Sequence, residues 1–305
     1  MRGDSRRTAV APGGDVMAQH DGSSQVLVGC GPDGFAWAID NAALRRLLAA
    51  RWQAHAARGP AAVVLSVRQA PLIDQAGRGT LEPLAVLEDP VTSDVTFRFG
   101  TLLRVRWERA AARMTCTLDQ SFALTEAAAI LESAFASLAA VWLRMRGGAL
   151  LHAAGVLDGE TADLFVGYSG VGKSTLASLA PAANVLHDDT LILTASQGIC
   201  QVAQPPWRRY GPPALAGRLW TVGRVFVLQR HTAPGMERLP VVSALAALLR
   251  VGVLPSPGWE SVAGGPAAAL TALVQRHACY RLCYRLGQDD PWAWIMDRSG
   301  SAAGG

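Results

Sequence analysis

With 305 residues, 50% of them hydrophobic and 17% charged, the chain is long enough for two cored domains and too apolar for general disorder. Its net charge of +4 comes from scattered arginines with no dense cluster interleaved with aromatics, which argues against nucleic acid as a partner. Cys30, Cys116 and Cys200 are isolated, and Cys279 and Cys283 lack histidine or acidic neighbours at ligand spacing. This argues against a disulfide framework and a structural metal.

Residues 1–24 carry charges and glycines without an apolar segment, so they are expected to form a disordered tail rather than a signal peptide. Strands are expected at Val26 to Val28 and Phe35 to Ile39, around a turn at Gly31-Pro32-Asp33-Gly34. Asn41 then caps a helix from Ala42 to Ala57 that places Leu44, Leu47, Leu48 and Trp52 on one face. Ala61 to Val67 reads as a strand and the region from Pro71 to Pro90 as a loop.

Strict alternation of Val95, Phe97, Phe99 and then Leu103, Val105, Trp107 with polar residues predicts a hairpin, and a third strand follows at Met114 to Leu118. The outward Arg98, Arg104 and Arg106 read as a solvated sheet face, with docking of an acidic partner as the alternative. Thr125 is expected to cap a long helix ending at Met145, stopped by Gly147-Gly148. Glu126 and Glu132 interrupt its apolar run, and Arg250 ends the other apolar stretch, Val241 to Leu249. No membrane span is therefore expected, and the location is expected to be cytoplasmic.

A strand from Ala149 to Leu157, a turn at Asp158-Gly159 and a strand from Ala162 to Val166 lead into Gly167-Tyr168-Ser169-Gly170-Val171-Gly172-Lys173-Ser174-Thr175. Glycine, four residues, glycine, lysine and serine, between a buried strand and a helix, is the pattern of a phosphate-cradling loop. Its glycines let backbone N–H groups turn onto phosphate oxygens at a helix N-terminus. Lys173 is the only lysine in the chain, against 27 arginines. A compact ammonium is what the terminal phosphates of a nucleotide require there.

Phosphoryl transfer also needs a metal, a carboxylate to hold it and often a second to take the acceptor's proton. Asp188-Asp189 follows the apolar Val185 and Leu186 and is expected to end a strand beside the loop strand; its bland alternative is a turn between strands. Asp289-Asp290 precedes Pro291, so Asp290 reads as a helix cap. His152, expected mid-strand, is by itself the pattern of a core histidine. His187 either tunes a neighbouring carboxylate or caps a strand. Strands at Val222 to Leu228 and Tyr280 to Leu286 complete the second half, and residues from Arg298 onward read as frayed. Arg208, Arg209, Arg218 and Arg224 are the candidates for stabilising transition-state charge.

The ordered set Leu151-His152-Ala153-Ala154, a short hairpin, the loop 167–175 and Leu186-His187-Asp188-Asp189 resembles the catalytic domain of HPr serine kinase/phosphorylase. It is more similar still to shorter bacterial HPr-kinase-like proteins, some associated with peptide-modification gene clusters. The resemblance covers about residues 148–296. Residues 25–146, outside it, read as a smaller α+β N-terminal domain that helps choose the substrate, and the resemblance implies for 147–297 an α/β fold, a mixed-sheet P-loop kinase domain.

It further implies ATP- and Mg²⁺-dependent phosphorylation of a serine-type hydroxyl on a protein or peptide, and a homo-oligomeric assembly. Cofactor contacts would come from Gly167, Ser169, Gly170, Val171, Gly172, Lys173, Ser174 and Thr175. Ser174, Asp188 and Asp189 would hold the metal, and Lys173, Asp188, Asp189 and His152 would carry catalysis. Two departures stand out: Thr175 replaces the glutamate of the bifunctional enzyme, and its arginine-containing C-terminal signature has no match. Reverse phosphorylase activity and HPr as substrate are therefore not implied. The rival readings are a nucleotide-binding regulatory or assembly module that transfers nothing, and plain nucleotide hydrolysis.

Overall fold

In the computed structural model, residues 25–30, 32–56, 61–72, 85–89, 93–99, 102–196, 198–207, 212–230, 234–251, 266–285, 289, 291–293 and 295 are described. Both expected tails, Arg208, Arg209 and Asp290 lie outside them. The alternating stretches pair into a sheet of order β1 (Gln25–Cys30), β2 (Asp33–Ile39), β3 (Ala61–Ala70), β7 (Arg113–Asp119), β6 (Leu103–Glu108), β5 (Val95–Phe99), β4 (Ala85–Glu88). β4 lies within the segment expected to be loop, where Val86 pairs with Phe97 across the β4–β5 ladder. The ladders β2–β3 and β3–β7 are parallel.

One face of this sheet buries Phe35, Trp37, Leu65, Val67, Phe97, Val105 and Trp107. Two helices cover it. α1 (Ala42–Trp52) starts where the Asn41 Oδ1 accepts from the amides of Ala43 and Leu44, both at 3.0 Å, and buries Leu44, Leu48 and Trp52. α2 (Leu124–Met145) starts one residue before the expected Thr125. Its first turn is closed by the Glu126 carboxylate, which accepts from the Ala123 amide at 3.1 Å, so the threonine is already inside the helix. Gly147, at φ +75°, ends α2, and the Gly148 amide donates to the Leu143 carbonyl at 2.7 Å. By length and hydropathy alone α2 is able to cross a membrane; here half of its most apolar window is buried in the protein.

The second sheet runs β11 (Val185–His187), β9 (Ala153–Asp158), β10 (Thr161–Val166), β14 (Trp220–Arg230), β13 (Ile199–Ala203), β12 (Leu191–Ser196), β8 (Ala149–Leu151). β16 (Cys279–Tyr284) adds to β14 and carries β15 (Gly235–Arg238). The fold is thus mixed α/β, with parallel ladders β10–β14 and β14–β16 among antiparallel ones. The strand expected over Ala149 to Leu157 breaks at His152: β8 pairs with β12, while β9 pairs with β10 and β11.

That break bends the sheet. β9 and β8 lie five places apart along the strand order, about 24 Å if flat. Leu151 and Ala153 span at most about 7 Å of chain, so the sheet curls until its ends meet at His152. Close packing there leaves no room beside Gly155, where an added Cβ would lie 2.8 Å from the Leu191 Cδ1. The inside of the curl buries Leu151, Leu164, Leu193, Val202 and Val225 with α4 (Val241–Val251) and α5 (Ala267–Arg276). α3 (Lys173–Ser178) packs on the other face with Phe165 and Phe226. Leu150, Ile192, Ala203 and Trp207 instead join the core of the first sheet, where Trp207 meets Phe135 of α2 at 5.4 Å between ring centroids.

Candidate functional site

Three neighbouring strands deliver the site to one edge of the curled sheet. The loop 167–175 leaves β10 after Val166, opposite Ala153 in register, and His152 immediately precedes Ala153. Asp188 and Asp189 follow β11, whose His187 lies opposite Gly155. The acid pair was expected on a strand adjacent to β10; β9 stands between them, and it brings His152 into the gap.

Loop shape follows from its glycines. Gly170 and Gly172 sit at φ +76° and +112°, where a side chain is strained. At Gly167 an added Cβ would lie 2.8 Å from the Val171 Cγ1. Val171 is buried among Phe226, Leu228 and Tyr284, whereas Ser169, Gly170, Ser174 and Thr175 are exposed. Two side chains from neighbouring strands hold the loop's carbonyls: Arg230 of β14 donates to Gly170, and the Tyr284 hydroxyl of β16 donates to Val171 at 3.2 Å. The Trp292 indole donates to the Leu176 carbonyl at 2.9 Å, tying a later segment to α3.

Lys173 is buried, and its Nζ donates to the carbonyls of Gly167 at 2.8 Å and Tyr168 at 3.2 Å. Burial lowers its pKa, and the charge of Asp189 opposes that shift. The ammonium is therefore held inside the loop and coupled to the second acid.

The turn after β11 is organised by His187, whose Nδ1 accepts from the amides of Asp189 at 3.1 Å and Thr190 at 2.9 Å. An Nδ1 that accepts carries no proton. The 3.8 Å approach of the Asp188 Oδ1 to it is thus not an ion pair, and His187 is a turn-forming residue. Gln204 supports the same strand, donating to the Leu186 carbonyl at 2.6 Å.

Asp189 is gripped from both sides: its Oδ1 lies 3.1 Å from the His152 Nε2, and its Oδ2 accepts from the Thr190 hydroxyl at 3.1 Å. The Ser174 hydroxyl donates to the Asp188 carbonyl at 3.3 Å. Ser174 and Asp188 line a cleft of about 580 Å³ together with Ala177, Ser178, Val185 and Pro212. Lys173, Ser174, Asp188, Asp189 and His152 thus converge, while Arg218 and Arg224, the candidate arginines among the described residues, do not join them.

Arg224 clamps Asp163 in β10, with Asp158 as a further partner. Burial pushes the Asp163 carboxyl pKa up against the pull of that guanidinium. Arg218 lies over the Trp220 ring at 4.2 Å. Arg230, Tyr284, Thr190 and Gln204 are the supports that sequence reading missed. Each acts through a strand pairing or a turn with no local motif, although Arg230 does end an apolar strand.

No protein-family model matches the chain, and no curated protein sequence matches it. Among solved structures, the Hpr(Ser) kinase/phosphatase from Coxiella burnetii aligns over 50% of this chain and 97% of its own at 12% identity, with a TM-score of 0.29. That is a weak structural resemblance to half of a mixed α/β chain.

Proposed function

We propose that the chain is a P-loop phosphotransferase that moves the terminal phosphoryl group of ATP, with Mg²⁺, to a serine-type hydroxyl of a protein or peptide. One observation carries the reading: the loop's lysine and serine share one sheet edge with an acid pair whose second member is locked by His152 and Thr190. Simple nucleotide binding needs no such acid pair.

The residues fit the cofactor. The positive φ of Gly170 and Gly172 leaves backbone where an anion has to approach closely, and Lys173 supplies the charge. Among the described residues no group of three His, Cys, Asp or Glu side chains forms a metal cage. Mg²⁺ needs none, since it takes one or two carboxylates and completes its shell with phosphate and water.

Bound there, the ion would neutralise charge on the transferring group. Ser174 and Asp189 would hold it, because Asp189 is the acid whose charge acts on Lys173. Asp188 would take the acceptor's proton, because it borders the cleft beside Ser174. His152 keeps Asp189 oriented, and residues 25–146 help select the acceptor.

Incubating the protein with γ-labelled ATP, Mg²⁺ and cell extract tests this. Label on a macromolecular acceptor is expected from the wild type and none from Lys173→Ala or from Asp188→Asn with Asp189→Asn. Intact nucleotide retained without label, or full activity in either variant, refutes it.

A further inference from the structure

The outer face of the first sheet carries a second feature that the proposed chemistry does not use. Core packing fixes which residues point outward, because Val95, Phe97, Leu103, Val105, Trp107, Met114 and Cys116 are all buried. The residues between them form rows across the strands. One row runs Arg68, Thr117, Arg104, Arg98 over β3, β7, β6 and β5. The next runs Ser66, Thr115, Arg106, Thr96. All four arginines are exposed. Strand spacing puts the ends of the first row about 14 Å apart, and the two rows about 7 Å apart.

Arg98 and Arg104 stand directly opposite each other, a like-charge pairing that weakens a ladder. Arg106 is neutralised by Asp94 at 3.0 Å, and the Arg68 Nε donates to the Thr117 hydroxyl at 3.3 Å. Among the described residues no carboxylate hydrogen-bonds or ion-pairs with Arg98 or Arg104. Among the described residues, the sheet thus presents the Arg98 and Arg104 guanidinium forks beside threonine hydroxyls without a carboxylate partner, a surface that favours carboxylates as bidentate partners.

We propose that this face docks an acidic segment of a partner polypeptide. Alternate side chains of an extended segment recur every ~7 Å, which matches the step from the Arg98–Arg104 row to the hydroxyls of Thr96 and Thr115. A nucleic acid fits less well. The outward positions of these rows hold no aromatic ring for base stacking, and a longer phosphate track would run onto Glu108, which faces Arg113 in the following row. The inference stands apart from phosphoryl transfer, since nothing in it involves the nucleotide.

The test uses the full chain and fluorescence anisotropy with a fluorescein-labelled peptide of repeating Glu-Gly-Ser. The arms are an oligothymidylate of equal net charge and phosphatidylserine vesicles. Arg98→Ser with Arg104→Ser is expected to weaken peptide binding about tenfold, the loss of two exposed charge pairs. Arg238→Ser with Arg250→Ser, which removes equal charge elsewhere on the surface, is expected to leave it within about twofold. Equal losses in the two variants, no peptide binding at low salt, or tighter binding of the oligonucleotide or the vesicles overturns the proposal. ATP-binding affinity, measured on the same variants, is expected to be unchanged, so failure here is distinguishable from failure of the nucleotide site.

Discussion

Removing the imidazole of His152 should loosen Mg·ATP without touching the loop. The Nε2 lies 3.1 Å from the Asp189 Oδ1, with the two side chains 23% and 32% exposed. A hydrogen bond to an ionised carboxylate contributes about 1.5–3 kcal/mol, and partial exposure favours the lower end. Asp189 also keeps its bond from Thr190, so truncation misorients the acid rather than freeing it. About 1.5 kcal/mol corresponds to roughly a tenfold rise in Kd.

Asp189→Asn, which removes the ligand itself, should cost more than His152→Ala. In that background His152→Ala should cost almost nothing further, because the carboxylate it orients is gone. Isothermal titration calorimetry of ATP with Mg²⁺ and with EDTA, on the wild type, both single variants and the double variant, measures all of this. The reasoning fails if the two losses add, or if His152→Ala weakens ATP equally in EDTA.

Lys173 is a base whose pKa is lowered by burial, so near its folded pKa the unfolded chain binds more protons than the native one. Stability of the nucleotide-free protein should therefore rise as pH climbs from that folded value toward 10.5, and thermal denaturation of Lys173→Met should lack this rise. Arg224→Ala leaves Asp163, with a side chain 3% exposed, buried beside no clamping guanidinium. Urea unfolding should show a loss of about 3–5 kcal/mol, most of it recovered when Asp163→Leu is added.

Much of the fold was legible because burial imposes period. The strands of the first sheet other than β4, together with α1, α2 and the strand before the loop, follow from alternation or from apolar residues at helical spacing. β4 was not, since its flanks are rich in proline and glycine and its four residues gain strand character only by pairing with β5. The break at His152 was hidden too. Apolar residues on both sides read as one strand, and only tertiary closure assigns them to different partners.

At the candidate site, glycine and lysine spacing exposed the loop because backbone sterics and charge act locally there. The roles of the histidines were not legible: which ring nitrogen meets which amide depends on a turn that closes only in three dimensions. Arg224 misled for a related reason. Its partner Asp163 is distant in sequence and is met through a register shift in the β10–β14 ladder.

The single residue joining β8 to β9 also bears on how the chain reaches its native state. His152 occupies its place only when the two ends of a strand path that includes β14, more than sixty residues downstream, have come together. Such a closure carries a large loop-entropy cost and belongs among slow, non-local events. A nascent chain that has formed the hairpin and the glycine loop but not yet the remaining strands already holds Lys173 against its loop carbonyls, while Asp189 waits for its imidazole partner until the seam shuts.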